Sequence, residues 1–207
     1  LRSPAIALKY ILLSLDLENN SKIMISALAP AWHYQVIKAL GMEPLVLDVD
    51  ETTGLVNAQL VSEGMKNGGR LLLLHETEGI LPDFDSILQC GIPVVEDISQ
   101  SAGSSVELKD ENGVSSDERK KAGSFGVYTI LGLEEKDVIT AGGGAVLMAP
   151  GRREWIVLKK FIDEGCTIVD PSQEVLDGFK AKAKAFYDSY SASLVEKGYS
   201  DIQTGFG

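Results

Sequence analysis

Short apolar segments alternate with helical patterns along the chain, and this alternation constrains the fold more than any other feature. Six apolar runs predict strands, at residues 23–28, 45–49, 70–75, 92–95, 125–130 and 145–148. Strands that alternate with helices through short links form a mostly parallel sheet covered by helices. We therefore predict an α/β fold with three layers: helices, a mostly parallel sheet, and helices on its other face.

The helical patterns fill the intervals between these strands. They predict helices at residues 5–17, 32–40, 60–66, 83–89, 155–163 and 174–197. Residues 107–121 are charged and have no hydrophobic period, so we expect a solvent-exposed loop or flap there. Pro150 and Gly151 suggest a boundary between a major domain, residues 1–150, and a C-terminal helical segment, residues 151–207, that forms part of a small domain.

Composition limits the class of partner. The chain has 207 residues with a net charge of −11, which argues against binding nucleic acid or an anionic membrane surface. Its two cysteines, Cys90 and Cys166, lie far apart and form no metal-binding or disulfide pattern. No apolar run reaches membrane-spanning length, and no signal peptide precedes Leu1. We expect a cytoplasmic protein without a metal site.

The candidate chemical groups stand at the ends of the predicted strands. Glu96 and Asp97 follow the strand at 92–95, Thr129 lies in the strand at 125–130, and Lys136 precedes a glycine-rich turn at 141–145. In an open α/β sheet, ligands bind beyond the carboxyl ends of the strands. The turn does not follow a strand and open a helix, so it is no dinucleotide-binding fingerprint.

Several segments together resemble the DegT-type sugar aminotransferases, which are pyridoxal-phosphate (PLP) enzymes of fold type I. Residues 94–103 read VVEDISQSAG, with an acid pair followed by glutamine and a small-residue turn. Residues 136–144 read KDVITAGGG, like the family's lysine and its threonine- and glycine-rich turn. Residues 41–50 read GMEPLVLDVD, like a family strand, and residues 1–8 are similar to the start of its phosphate-site helix.

The resemblance implies a role for each matched residue. Asp97 would pair with the pyridine nitrogen of PLP, and Gln100 would contact the side of the ring that carries the hydroxyl group. Thr129 aligns with the family serine that binds the phosphate, and Ser3 lies at the start of the phosphate-site helix. Lys136 would bond covalently to the cofactor and later move a proton on the substrate.

The sequence also departs from the family pattern. Counted from Gly123, Lys136 falls two residues later than the family lysine. At the first helix Pro4-Ala5 replaces the expected Gly-Thr pair, which removes a backbone N–H and a hydroxyl from the phosphate site. The aromatic residue expected to stack on the ring would lie near Pro30, where only Trp32 is close. Most of the family's small domain is missing, so we expect a truncated form.

Each candidate also has a structural interpretation. Asp97 could cap a turn, and Lys136, between two acids, could be a solvated surface charge. Thr129 could be a strand residue chosen for its β-propensity. His75 at the end of a buried strand is typical of a structural histidine, and His33 of core packing at a helix start.

Two functions remain open from the sequence. The first is amino transfer from a donor such as glutamate to a nucleotide-linked keto sugar, carried out by a PLP-dependent homodimer. The second is a catalytically degenerate homologue that keeps the fold and serves as a binding or assembly partner. A related dehydratase chemistry, in which histidine replaces the lysine, is disfavoured by Lys136.

Overall fold

The computed structural model describes residues 1–109, 115–163 and 181; at 108, 109, 115–118 and 161 it describes the backbone alone. The chain divides into two compact units, Leu1–Gly165 and Cys166–Gly207. Apart from Ala181, the second unit lies outside the described residues, and so does the helix predicted at 174–197. The domain boundary at residue 150 stays a prediction.

A six-stranded sheet forms the centre of the first unit. Its strands, in chain order, are β1 (Lys22–Ser26), β2 (Glu43–Leu47), β3 (Gly69–His75), β4 (Val94–Asp97), β7 (Tyr128–Gly132) and β8 (Ala145–Met148). Their spatial order is β2-β1-β3-β4-β7-β8. All neighbouring pairs are parallel except β7 and β8, which are antiparallel. The predicted α/β class with a mostly parallel sheet is therefore confirmed, and all six predicted strands belong to one sheet.

Five α-helices connect or flank these strands in the described part of the chain. They are α1 (Pro4–Ser14), α2 (Ala31–Ala39), α3 (Ala58–Lys66), α4 (Phe84–Gln89) and α5 (Arg152–Asp163). Side chains cap three of them, because Ser3, Asn57 and Asp83 each accept a first-turn N–H of α1, α3 and α4. A short 3-10 turn, Thr77–Gly79, follows β3.

Helices cover both faces of the sheet. On one face, Val61 of α3 and Ile87 of α4 pack with Met24, Leu72 and Val94 of the strands in one buried cluster. The alternation of side chains along a strand sends the neighbouring residues to the other face, where α1 and α2 contact the sheet and α5 packs on α1. Strands buried on both faces explain why these runs are almost wholly apolar.

The strand order places a natural ligand site at the carboxyl ends of β1, β3 and β4. The chain passes from β1 outward to β2 and then crosses to β3 on the other side of β1, so the winding direction reverses between β1 and β3. Open α/β sheets bind ligands at this point of reversal. His75 and Asp97 end the neighbouring strands β3 and β4 and are direct partners in the register.

The prediction of a loop at residues 107–121 is wrong. Strand β5 (Ser105–Lys109) pairs antiparallel with β6 (Ser115–Lys121) in a separate two-stranded sheet. No apolar alternation marks these strands, and polar contacts join them: Arg119 donates to Ser105 and forms an ion pair with Glu107. Lys120 Nζ lies 4.4 Å from the ring centroid of Phe125.

Candidate active site

Asp97 is the centre of a buried polar cluster at the carboxyl end of β4. Its Oδ2 atom lies 2.9 Å from His33 Nε2 and 2.9 Å from His75 Nδ1. Its Oδ1 atom accepts hydrogen bonds from both the backbone N–H and the hydroxyl of Ser99. A carboxylate offers about four acceptor positions, so these four donors occupy all of them.

The charges in this cluster follow from its contacts. Burial alone would raise the pKa of Asp97, but the hydrogen bonds from His33 and His75 outweigh it and hold that pKa well below its usual range. Burial lowers the pKa of His33, although the bond to Asp97 opposes the shift. A neutral His33 that donates through Nε2 has an unprotonated Nδ1, and this atom is buried without a hydrogen-bond partner in the described structure.

Among the described residues, His33, His75 and Asp97 form a group whose side chains could together bind a metal ion. The ligand atoms of His33, His75 and Asp97 lie within 4.8 Å of one another, and two imidazoles with a carboxylate are a common ligand set. Both nitrogen–oxygen separations are nevertheless those of hydrogen bonds. Hydrogen bonding to an ionised carboxylate therefore accounts for the arrangement.

Ser99 connects this cluster to the segment that carries Lys136. We refer to residues 132–138 as the lysine loop. The Ser99 hydroxyl accepts the N–H of Gly132 at 2.9 Å, and the Ser99 carbonyl accepts the N–H of Val138 at 3.1 Å. The Lys136 side chain itself is exposed to solvent near the tip of the loop.

Asp137 fills the inner side of the lysine loop. Its Oδ2 atom accepts the N–H of Glu134 at 2.7 Å and lies against Gly132. Burial raises the pKa of Asp137, the Glu134 N–H opposes this, and the negative charge of Asp97 adds to the increase. The loop therefore turns an acid inward and presents the lysine outward.

Thr129 and Gln100 have partners of their own. Thr129 pairs with Glu96 across β4 and β7, so its side chain emerges on the face opposite to that of Asp97. Its hydroxyl is buried and donates to the carbonyl of Gly123 at 2.9 Å. The Gln100 side-chain oxygen accepts the N–H of Glu78 at 3.0 Å. The structure brings Asp97 close to the lysine loop, and it does not bring Thr129 to the same face.

Ser3 lies at the start of α1, beside the glycine turn. Leu1 exchanges two backbone hydrogen bonds with Ala145 at the start of β8, and this places the N-terminus of α1 at the carboxyl edge of the sheet. The Ser3 hydroxyl accepts the N–H of Ile6, and the Ser3 carbonyl accepts that of Ala7. Because Pro4 has no N–H, the Ala5 amide is the one first-turn donor without a partner in the described structure.

Two buried glutamates lie behind the cluster. The Glu96 carboxylate accepts the N–H groups of Gly123, Phe125 and Gly126 and so fixes the segment that leads into β7. Glu76 has one hydrogen-bond donor, the hydroxyl of Ser101, and its Oε1 atom has no partner in the described structure. Burial raises the pKa of Glu76 to about 9, and the proximity of Glu96 adds to the increase.

The sequence comparison identifies the family. The profile of the DegT/DnrJ/EryC1/StrS aminotransferase family matches residues 1–180. The chain belongs to this family. No curated protein matches the sequence. No helix in the described residues is both long enough and apolar enough to span a bilayer.

Solved structures of this type share the fold at low sequence identity. An aminotransferase from Psychrobacter cryohalolentis has a TM-score of 0.69 at 18% identity over 83% of this chain and 43% of its own. DesV from S. venezuelae, solved with a ketimine intermediate, has a TM-score of 0.70 at 15% identity over 91% of this chain and 52% of its own. A GDP-4-keto-6-deoxymannose-3-dehydratase with bound GDP-perosamine has a TM-score of 0.63 at 18% identity over 76% and 40%. The chain thus spans about half the length of these proteins.

At 15–18% identity, these neighbours show the fold of the chain, and the family profile shows its family. No site role was predicted from the sequence for His33 and Ser99, which contact Asp97, or for Asp137 of the lysine loop. The sequence predicted that His75 ends a strand. Its contact with Asp97 could have been predicted only from the order and register of the two strands. His33 reaches the cluster from a helix, so no local spacing signals its contact with Asp97.

Proposed function

We propose that this chain is the cofactor-binding part of a PLP-dependent enzyme that transfers an amino group to a nucleotide-linked keto sugar. One observation carries the proposal: the Asp97 carboxylate is buried, ionised and connected through Ser99 to the loop that holds Lys136. An anion of this kind at the carboxyl edge of an α/β sheet suits a cofactor whose ring nitrogen must stay protonated.

Asp97 and Gln100 carry polar groups that suit the ring nitrogen and the ring hydroxyl group of PLP. Asp97 would hold the protonated ring nitrogen, and Gln100, three residues later, would contact the ring hydroxyl group. Since all acceptor positions of Asp97 are occupied, a ring N–H that binds it replaces one of the four present donors. We expect His33 or His75 to be the donor replaced, because the two share a single oxygen.

Lys136 is exposed on the outer side of the lysine loop, so its amine would have to turn inward to reach a cofactor held at Asp97. Bound PLP supplies an electron-accepting ring that stabilises negative charge on the substrate carbon. Lys136 would hold the cofactor through its Nζ atom and, once displaced by the substrate amine, would accept the substrate proton and return it.

The N-terminus of α1 would hold the phosphate. The positive end of the helix and the free Ala5 N–H attract an anion, and the Ser3 hydroxyl can turn toward it. Thr129 would have to release the carbonyl of Gly123 before its hydroxyl could contribute.

A second function is favoured by a specific observation at this end of the site. The first turn of α1 offers a single free N–H, and the Thr129 hydroxyl points to the other face of the sheet. Weak phosphate binding would leave a degenerate homologue that retains the fold as a binding or assembly partner.

Reductive trapping distinguishes the two functions. The purified protein is incubated with PLP, reduced with borohydride and digested, and the labelled peptide is identified by mass spectrometry. We expect the label on Lys136, its loss in Lys136→Ala, and its retention in Lys38→Ala, which removes an exposed lysine of α2. A folded protein without label on Lys136 would reject the enzyme and favour the degenerate homologue.

The substrate, assembly and location belong to the same proposal. If the trapping experiment labels Lys136, the unreduced protein with PLP should convert a nucleotide-linked keto sugar to the amino sugar with glutamate as donor, as measured by product mass. We further propose a homodimer that works in the cytoplasm, which sedimentation and cell fractionation would test.

A further inference from the structure

Ser99 contacts both Asp97 and the lysine loop, and the family pattern of the sequence predicts neither contact. Its hydroxyl donates to Asp97 Oδ1 and accepts the N–H of Gly132 at 2.9 Å. Its carbonyl accepts the N–H of Val138 at 3.1 Å. The side chain is buried, so these bonds are made without competition from water.

These contacts fix both ends of the lysine loop. Gly132 and Val138 are its first and last residues, and both amides bond to Ser99. Between them, a turn closes the tip: Asp137 N–H donates to the Glu134 carbonyl at 3.1 Å, and Glu134 N–H donates to Asp137 Oδ2. Ser99 therefore contacts both ends of the backbone that carries Lys136, beside the bonds that join Leu133 to the glycine turn.

Close packing at the base depends on glycine. A Cβ atom at Gly132 would lie 2.8 Å from the Ser99 hydroxyl and would also collide with the Asp137 carboxylate. Real Cβ atoms do not approach other heavy atoms so closely. Gly132 thus allows the loop to lie directly against Ser99 and, through it, against Asp97.

We propose that Ser99 is a positioning residue that sets the distance between Lys136 and the Asp97 carboxylate. The inference rests on the proposed function, since the pair matters only if both contact one cofactor. Ser99 orients Asp97 through hydrogen bonds to Asp97 Oδ1, and it orients the lysine loop through the amides of Gly132 and Val138. Loss of its hydroxyl removes the Gly132 bond and one of the four donors to Asp97, while the Val138 bond to the main chain remains.

The test compares Ser99→Ala with Ser104→Ala as a matched control. Ser104 donates to the Gly79 carbonyl at 2.8 Å and, among the described residues, forms no hydrogen bond with Asp97 or the lysine loop, so Ser104→Ala also removes one loop hydrogen bond. Amide hydrogen exchange is measured at Gly132 and Val138, and PLP retention and the yield of borohydride-trapped adduct on Lys136 are measured separately.

In Ser99→Ala we expect faster exchange at Gly132, retained PLP and a loss of about tenfold or more in trapped adduct, because small misplacements of a reacting group have effects of this size. Ser104→Ala should match the wild type. Ser99→Thr keeps the hydroxyl and should restore the adduct, which also covers the case in which Ser99→Ala fails to fold.

Two results would overturn the inference: unchanged Gly132 exchange in Ser99→Ala, or an adduct yield equal to that of the wild type. A parallel loss of PLP retention and adduct would also reject it, because that points to general damage of the site. If the wild type gives no adduct, the proposed function fails. The anchoring of the loop is then decided by the exchange rate at Gly132 alone.

Discussion

Two buried carboxyl groups near the ends of β3 and β4, those of Glu76 and Asp97, differ in charge because they differ in partners. Asp97 accepts four hydrogen bonds, two of them from histidines, and its pKa is lowered despite burial. Glu76 has one donor, Ser101, and burial raises the pKa of this glutamate to about 9. Burial therefore keeps Glu76 protonated at neutral pH, while directed hydrogen bonds keep Asp97 ionised.

Replacing Glu76 with glutamine tests this difference. The native state holds the Glu76 proton up to about pH 9, whereas the unfolded chain releases it near the ordinary value of 4.5. The free energy of unfolding of the wild type therefore falls as the pH rises between these values. Glu76→Gln removes this loss, and we expect it to be more stable at pH 7 by roughly 1–3 kcal/mol.

Urea denaturation at pH 5, 7 and 9 measures the effect. The advantage of Glu76→Gln should grow with pH across this range. A difference that is constant from pH 5 to 9 would contradict a buried neutral Glu76.

At the level of elements, Glu96 connects β4 to the segment that leads into β7. It is buried, and its two oxygens accept three backbone N–H groups, those of Gly123, Phe125 and Gly126. Phe125 in turn stacks on Phe84 of α4, with ring centroids 3.9 Å apart. The Glu96 carboxylate thus fixes the segment before β7, including Phe125 and its contact with Phe84.

Glu96→Gln should weaken this connection. The amide keeps one acceptor oxygen but directs an NH₂ group at a backbone N–H, so at least one charge-assisted bond is lost and a buried donor is left without an acceptor. We expect a loss of about 3 kcal/mol in the free energy of unfolding.

The matched control is Glu43→Gln. Glu43 forms an ion pair with Lys22 at 3.8 Å, and its side chain is 54% exposed. Its loss should change stability by less than about 0.5 kcal/mol. Equal effects of the two substitutions, measured by urea denaturation, would exclude the anchoring role of Glu96.

At the level of the whole molecule, apolar side chains remain exposed in the first unit. Leu28, Tyr34 and Val46 lie near one edge of the sheet, and Trp155, Ile156 and Val157 follow each other in α5, where Ile156 is 57% exposed. Exposed apolar groups of this kind favour association between copies of a chain.

We therefore expect a homodimer in sedimentation velocity experiments over a dilution series. Tyr34→Glu and Ile156→Glu, which place a charge in each of the two regions, should show which region lies in the interface, because only one should shift the equilibrium to monomer. A monomer that persists at high concentration would contradict the prediction.

The sequence by itself determined the α/β class, the six strands of the sheet and the start of α4 near Asp83. These features depend on local signals: apolar periodicity, and a capping residue within one turn of the group that it binds. The family segments around Asp97 and Lys136 were visible for the same reason, since each is short and continuous.

Only the tertiary structure decided which side chains meet. His33, His75 and Ser99 come to Asp97 from a helix, a neighbouring strand and a turn, and these contacts depend on strand order and register, which no local pattern encodes. The pairing of β5 with β6 escaped prediction because the residues of this stretch show no hydrophobic period, and the described contacts between the strands include an ion pair of Arg119 with Glu107. The surroundings of Asp97 depend on contacts between segments that are distant in the chain, whereas the strands and helices follow from local hydrophobic periodicity.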